Sequence, residues 1–202
     1  MAKNPFKYPP LPLDIKTPIR LVVLLPQTHD TKIRCLLAIE SLERTPRYEA
    51  LSYVWGSPLD TREIEVNGKP FHVTSNLAAA LHSLRSTHHR GEYIVSCPED
   101  GIYGDNPRRK VLWIDALCID QNNIPEKNKQ VQQMSLIYSS AQTVICWLGP
   151  NTNNSERALD VINTWLRDWF LWNFKDLDAL ARFFEQEWFS RIWIVQEVVL
   201  AR

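Results

Sequence analysis

The sequence predicts an α/β fold: a parallel sheet flanked by helices, with a β-hairpin added at the N-terminus and a second hairpin inside the chain. Three observations carry this. Near-continuous apolar runs at 48–55, 111–119 and 143–148 have the pattern of strands buried on both faces. Helical patterns separate these runs, and strands alternating with helices pack as a doubly wound parallel sheet. Asn67-Gly68 stands between two short strand patterns, the signature of a type I′ hairpin turn.

Taken in order, residues 1–18 hold Pro5, Pro9, Pro10, Pro12 and Pro18 and read as an extended lead-in tied down by Phe6 and Tyr8. The domain proper is 19–202. Ile19–Leu25 and Ile33–Ile39 are rich in β-branched and leucine residues and predict the N-terminal hairpin. Tyr48–Trp55 predicts a central strand, closed by Gly56-Ser57-Pro58 and a polar loop, the kind of strand end where an α/β sheet presents a binding edge. Glu63–Val66 and Lys69–Val73 flank the Asn-Gly turn. Thr74 or Ser75 caps a helix whose buried face is Leu77, Leu81 and Leu84.

Residues 86–110 are polar and read as an irregular insertion. Val111–Ile119 predicts a second buried strand. Pro125 and Glu126 open a helix to about Ser139, with Val131, Met134 and Tyr138 on one face. Thr143–Leu148 predicts a third buried strand. Ser155 caps a helix striped by Ala158, Val161, Ile162, Trp165 and Leu166. Leu177, Leu180, Ala181 and Phe184 stripe another, up to Trp188. After a corner at Phe189-Ser190, residues 191–200 form the last helix.

The 202 residues suit one domain with an extension, large enough to bury a core. Charges balance at 23 against 23, which gives no electrostatic footprint for nucleic acid. Cys35, Cys118 and Cys146 sit in apolar runs and read as buried free thiols. Without a C-x-x-C pair or a signal peptide, the expectation is a reducing, cytoplasmic compartment. No apolar run reaches the length of a membrane span. His88, His89 and Cys97 lack a fourth ligand at metal spacing, so no metal site is expected. Of the eight tryptophans, Trp147 and Trp165 read as core, and others are available to stack on a planar ligand.

The chemistry concentrates in Arg191-Ile192-Trp193-Ile194-Val195-Gln196-Glu197-Val198-Val199-Leu200. An acid in an apolar run lies in or near the core, and there it must be paired, neutralised or turned to a cleft. Two readings stand: Glu197 pairs with Arg191 or Arg202 to anchor a helix, or it is a functional carboxylate with Gln196 orienting it. Asp115 and Asp120 lie near a strand end, where each either binds a ligand or caps the 121–123 loop, Asp120 reading as the cap. Ser52 as a nucleophile lacks a histidine in any matching block. Tyr53 and Trp55 read either as core or as pocket wall.

Three blocks, 48–56 (YEALSYVWG), 113–121 (WIDALCIDQ) and 191–197 (RIWIVQE), occur in the order that resembles the fungal heterokaryon incompatibility (HET) domain. The resemblance covers roughly 19–202. It implies a fungal cell-death domain of non-self recognition, embedded in a longer polypeptide with regulatory domains or a partner protein. HET domains are in turn similar to TIR domains, which have a flavodoxin-like parallel sheet. Ser190-Arg191-Ile192-Trp193-Ile194-Val195-Gln196-Glu197 is similar to a TIR Ser-x-Trp-Cys-x-x-Glu block, with Ile194 where that block has cysteine. In TIR domains that cleave NAD this glutamate is catalytic, which maps to Glu197.

The resemblance implies NAD as substrate, no further cofactor, and self-association for activity. Glu197 would stabilise the oxocarbenium-like centre formed as nicotinamide leaves. Trp55 or Trp193 would stack on a ring, and Asp115 would hold ribose. Ser52, Tyr53, Gly56 and Gln196 complete the expected binding residues, with backbone amides around Gly56 and Ser57 receiving the pyrophosphate. The product is ADP-ribose, linear or cyclic. The competing implication is a non-catalytic signalling module acting through homotypic assembly.

Overall fold

The computed structural model describes residues 6–27, 31–86, 110–150, 153–165, 174–195 and 197. Residues 87–109 of the predicted insertion, including His88, His89 and Cys97, and Gln196, Leu166 and Arg202 lie outside the described residues, while Ser86 ends a helix and Lys110 begins a strand.

Seven strands form one mixed sheet: β1 (Pro18–Leu24), β2 (Arg34–Ser41), β3 (Glu49–Tyr53), β4 (Thr61–Val66), β5 (Lys69–Thr74), β6 (Lys110–Trp113) and β7 (Thr143–Trp147). Their spatial order is β5-β4-β2-β1-β6-β3-β7. β3 pairs parallel with β6 and with β7, whereas β1 runs antiparallel to both β2 and β6. Both predicted hairpins form. β1 and β2 pair from Pro18–Ser41 to Leu24–Cys35, and β4 and β5 turn at Asn67 (φ 49°) and Gly68 (φ 70°), the paired positive angles of a type I′ turn. The N-terminal hairpin joins through β1 to β6, so antiparallel pairing reaches the middle of the sheet. Parallel pairing is confined to the β6-β3-β7 end and the β2–β4 contact.

Helices flank the sheet: α1 (Ser75–Ser86), α2 (Asp115–Cys118), α3 (Ile124–Gln132), α4 (Met134–Ser140), α5 (Asn153–Trp165) and α6 (Phe174–Phe184). The Thr74 hydroxyl accepts from the Leu77 amide at the start of α1, and Leu77, Leu81 and Leu84 are buried as the pattern requires. The main core is the sheet's aliphatic interior with Trp113 and Tyr138 packed edge-to-face, ring centroids 5.4 Å apart. A smaller cluster of Ala158, Ala179 and Phe183 joins α5 to α6.

Four expectations are corrected. The apolar run 111–119 is not one strand. It leaves the sheet after Trp113 and makes the one-turn helix α2, with the Cys118 thiol accepting from the Ile114 amide at 3.3 Å. A short apolar run fits a strand or a buried helical turn equally, and here tertiary contacts decide. The helix expected to run to Ser139 is divided at Gln133 into α3 and α4. β7 terminates the sheet, so it is only partly buried. Trp147 is half-buried and Cys146 is exposed. The α6 stripe is rotated: Ala179 and Phe183 are buried while Leu177 and Phe184 are exposed.

The lead-in is strapped to the sheet by a buried arginine. Arg20 donates to the Pro9 carbonyl through Nε at 3.0 Å and Nη2 at 2.7 Å, to the Cys118 carbonyl at 3.0 Å, and to both oxygens of Glu126. Its guanidinium lies 5.0 Å from the centre of the Tyr8 ring. A fully buried guanidinium costs free energy unless its donors are satisfied, and this set ties lead-in, β1, α2 and α3 together. Phe6 and Tyr8 pack edge-on against Phe71, as the sequence suggested.

Candidate functional site

The site lies at the carboxyl ends of β3 and β6, which run side by side and in the same direction. Past Tyr53 the chain leaves the sheet, so Trp55 belongs to a loop. Gly56 takes φ +76°, a left-handed conformation open to glycine at little cost. The Asn76 amide holds this loop by donating to the Val54 carbonyl at 2.6 Å, and it accepts from Trp147 Nε1 at 2.9 Å.

β6 ends at Trp113, and Asp115 opens α2 beside the β3 loop. Its carboxylate accepts from Trp55 Nε1 at 2.8 Å and from the Ala116 amide at 2.7 Å. Burial pushes the Asp115 carboxyl above its ordinary range, against the pull of the Trp55 and Ala116 hydrogen bonds. The Glu197 charge pushes it up further, and Arg191 opposes. Burial, then the Asp115 charge, hold the Tyr53 hydroxyl well above its ordinary range. Gln121 Nε2 donates to the Asp115 carbonyl at 3.0 Å, while its Oε1 is buried with no partner among the described residues.

Glu197 is delivered by the last described turn, where its amide donates to the Trp193 carbonyl at 3.1 Å. It is 1% exposed. Arg191 grips it with both terminal nitrogens, Nη1 to Oε2 at 3.1 Å and Nη2 to Oε1 at 3.0 Å, the two-pronged geometry that makes guanidinium–carboxylate pairs strong. The Ser52 hydroxyl donates to Oε2 and accepts from Trp188 Nε1 at 2.9 Å. A buried carboxylate is tolerable when paired and hydrogen-bonded in this way.

These groups surround a cleft of about 450 Å³. Trp55, Gly56, Asp115, Trp193 and Glu197, all anticipated from the sequence, line it. Trp55 and Trp193 are 40% and 44% exposed, so their rings offer free surface. Ser52 and Tyr53 are buried behind the wall, and Ser52 hydrogen-bonds the Glu197 carboxylate. Sequence reasoning missed Trp188, Gln121, Lys127 and Glu187. Gln121, Lys127 and Glu187 line the cleft, and Trp188 is the buried donor to Ser52.

The family profile described as "Heterokaryon incompatibility protein (HET)" matches residues 48–197. The chain belongs to the heterokaryon incompatibility family. Every residue lining the cleft of this HET domain falls inside the matched segment. The chain is also similar to "Heterokaryon incompatibility protein 6, OR allele" of Neurospora crassa, with 30% identity over 247 aligned positions covering 98% of this chain. It spans 34% of that protein's length. No solved structure matches it. Among the described residues, no helix of the HET domain is long and apolar enough to cross a membrane.

Proposed function

We propose that this HET domain is the cell-death effector of a fungal heterokaryon incompatibility protein, acting by cleaving NAD to nicotinamide and ADP-ribose. One observation carries the chemistry: a buried carboxylate, Glu197, forms part of an open cleft rimmed by two exposed tryptophan rings. Heterolysis of the nicotinamide–ribose bond sends its electron pair to the ring nitrogen and leaves positive charge on the anomeric carbon. A fixed carboxylate stabilises that charge. Water then adds to the anomeric carbon and gives up a proton, for which Asp115 and Glu197 are the nearby acceptors. Nicotinamide leaves as a neutral ring, so no general acid is needed. Trp55 or Trp193 stacks on a ring of the substrate.

The strand order also supports the reading. Within β6-β3-β7 the first strand in sequence lies between the second and the third, all parallel, which is how a TIR or flavodoxin-like sheet begins. Such sheets bind ligands at their carboxyl ends.

A second reading has an observation of its own. Arg191 and Ser52 already engage both oxygens of Glu197, as they would in a structural ion pair of a non-catalytic module that self-assembles. Chromatography of NAD incubated with the chain over a range of protein concentrations separates the two. Equimolar nicotinamide and ADP-ribose, rising more steeply than protein concentration, supports an enzyme completed by self-association. Assembly with intact NAD at every concentration supports the module.

A further inference from the structure

We infer that Lys127 is the anion anchor of the cleft and receives the pyrophosphate of a dinucleotide. This rests on the nucleotide reading above, and it assigns the phosphates to a side chain of the cleft in place of the Gly56 loop's amides.

Two cations, Arg191 and Lys127, line the cleft. Arg191 is committed to Glu197 through both of its terminal nitrogens. Asp115 is held by Trp55 and the Ala116 amide. Lys127 is the remaining cation. Among the described residues no carboxylate lies within ion-pair distance of it, the cleft's Glu187 included. Its chain neighbour Glu126 is consumed elsewhere: both oxygens take the buried Arg20, and Oε1 also accepts the Asp120 amide at 2.9 Å.

The position of Lys127 sharpens the point. It closes the first turn of α3, its amide donating to the carbonyl of the N-cap residue Asn123 at 2.8 Å. The start of a helix carries the positive end of the backbone dipole, which disfavours a cation and favours an anion. An ammonium held there without a counter-charge, half-buried and facing a cleft, is relieved by an anionic ligand, which the helix start also attracts. The same cleft presents two aromatic rings and three carboxylates, Asp115, Glu187 and Glu197, able to accept ribose hydroxyls. Rings, hydroxyl acceptors and a free cation together match a ligand that carries base, ribose and phosphate.

Calorimetry on the 202-residue chain tests this with three probes: ADP-ribose, inorganic pyrophosphate and nicotinamide riboside, which has no phosphate. Native protein, Lys127→Ala, Lys127→Arg and Lys129→Ala are compared, Lys129 being an exposed lysine on the same helix outside the cleft lining. Losing a charged hydrogen-bond donor weakens ADP-ribose and pyrophosphate by about ten-fold or more in Lys127→Ala. Lys127→Arg retains most of the affinity, Lys129→Ala retains all of it, and nicotinamide riboside does not distinguish Lys127→Ala from native. That pattern upholds the anchor even if the chain leaves NAD intact. Equal ADP-ribose affinity in native and Lys127→Ala overturns the anchor even if the chain cleaves NAD. A native chain that binds neither phosphate probe overturns it as well.

Discussion

The hydroxyl of Ser52 donates to the carboxylate of Glu197 across 145 positions of sequence, joining the first strand of the parallel core to the last described turn. Ser52 also accepts from Trp188, so one buried hydroxyl connects three segments. Ser52→Ala removes a donor from Glu197 and leaves the Trp188 indole N–H without its acceptor. A buried polar group stripped of its partner costs about 1–3 kcal/mol. The urea midpoint of the variant should fall accordingly with an unchanged slope. An unshifted midpoint would mean that Ser52 is replaceable by the surrounding packing.

Arg191 carries the larger share of the Glu197 environment. Arg191→Ala leaves a carboxylate that is 1% exposed without its counter-charge. Removing one partner of a buried pair costs about 3 kcal/mol or more, and the 18% exposure of Arg191 places this pair at the lower end. Arg191→Lys keeps the charge but loses the fork and should recover only part of the loss. Denaturation of the three proteins side by side measures the order. Equal stability of Lys and Arg forms would contradict the two-pronged geometry.

Asp115 makes stability depend on pH. Its carboxyl is raised chiefly by burial, so the folded chain takes up this proton before the unfolded chain does. The associated stability is fully present below the ordinary aspartate value and is lost as pH rises through Asp115's own higher value. Native protein should therefore gain on Asp115→Asn as pH falls from neutral. The gap should stop widening below the ordinary aspartate value. Denaturant midpoints of both proteins across this range test it, and a gap constant with pH would contradict the raised carboxyl.

Gly56 sets the turn that brings Trp55 to Asp115. A Cβ there would meet Asn76 Cβ at 3.5 Å, an ordinary contact, so the cost of Gly56→Ala comes from the +76° backbone angle. That cost is about 1–2 kcal/mol. Gly56→Asn should lose less, because asparagine enters the left-handed region more readily. Thermal unfolding of the two variants gives the comparison, and equal losses would point to a different origin.

The parts of this fold legible in the sequence are those with local chemistry behind them. Asn67-Gly68 dictated its hairpin because few residue pairs accept two positive φ angles. Leu77, Leu81 and Leu84 dictated the buried face of α1 through helical spacing. The run 111–119 misled because its apolar residues carry no period that separates a strand from a strand followed by one helical turn. β7 misled because its apolar content says nothing about which strand ends the sheet. In the site, Asp115 and Glu197 stood out as acids among apolar neighbours, and the structure joins both to one cleft. Lys127 gave no such signal: it lies in a charged, solvent-patterned segment, and only the folding of α3 beside the 121–123 loop brings it to the cleft. Trp188 was one aromatic among several near a helix end, and its role depends on a hydroxyl 136 positions away.

The most direct test of the central claim is nicotinamide release from NAD by the native chain and by Glu197→Gln, at high protein concentration, with both proteins shown to be folded. The glutamine keeps the shape of the side chain but lacks the charge that stabilises the developing cation. The expected result is release by the native chain and its loss in the variant. Release that persists unchanged in Glu197→Gln would contradict it.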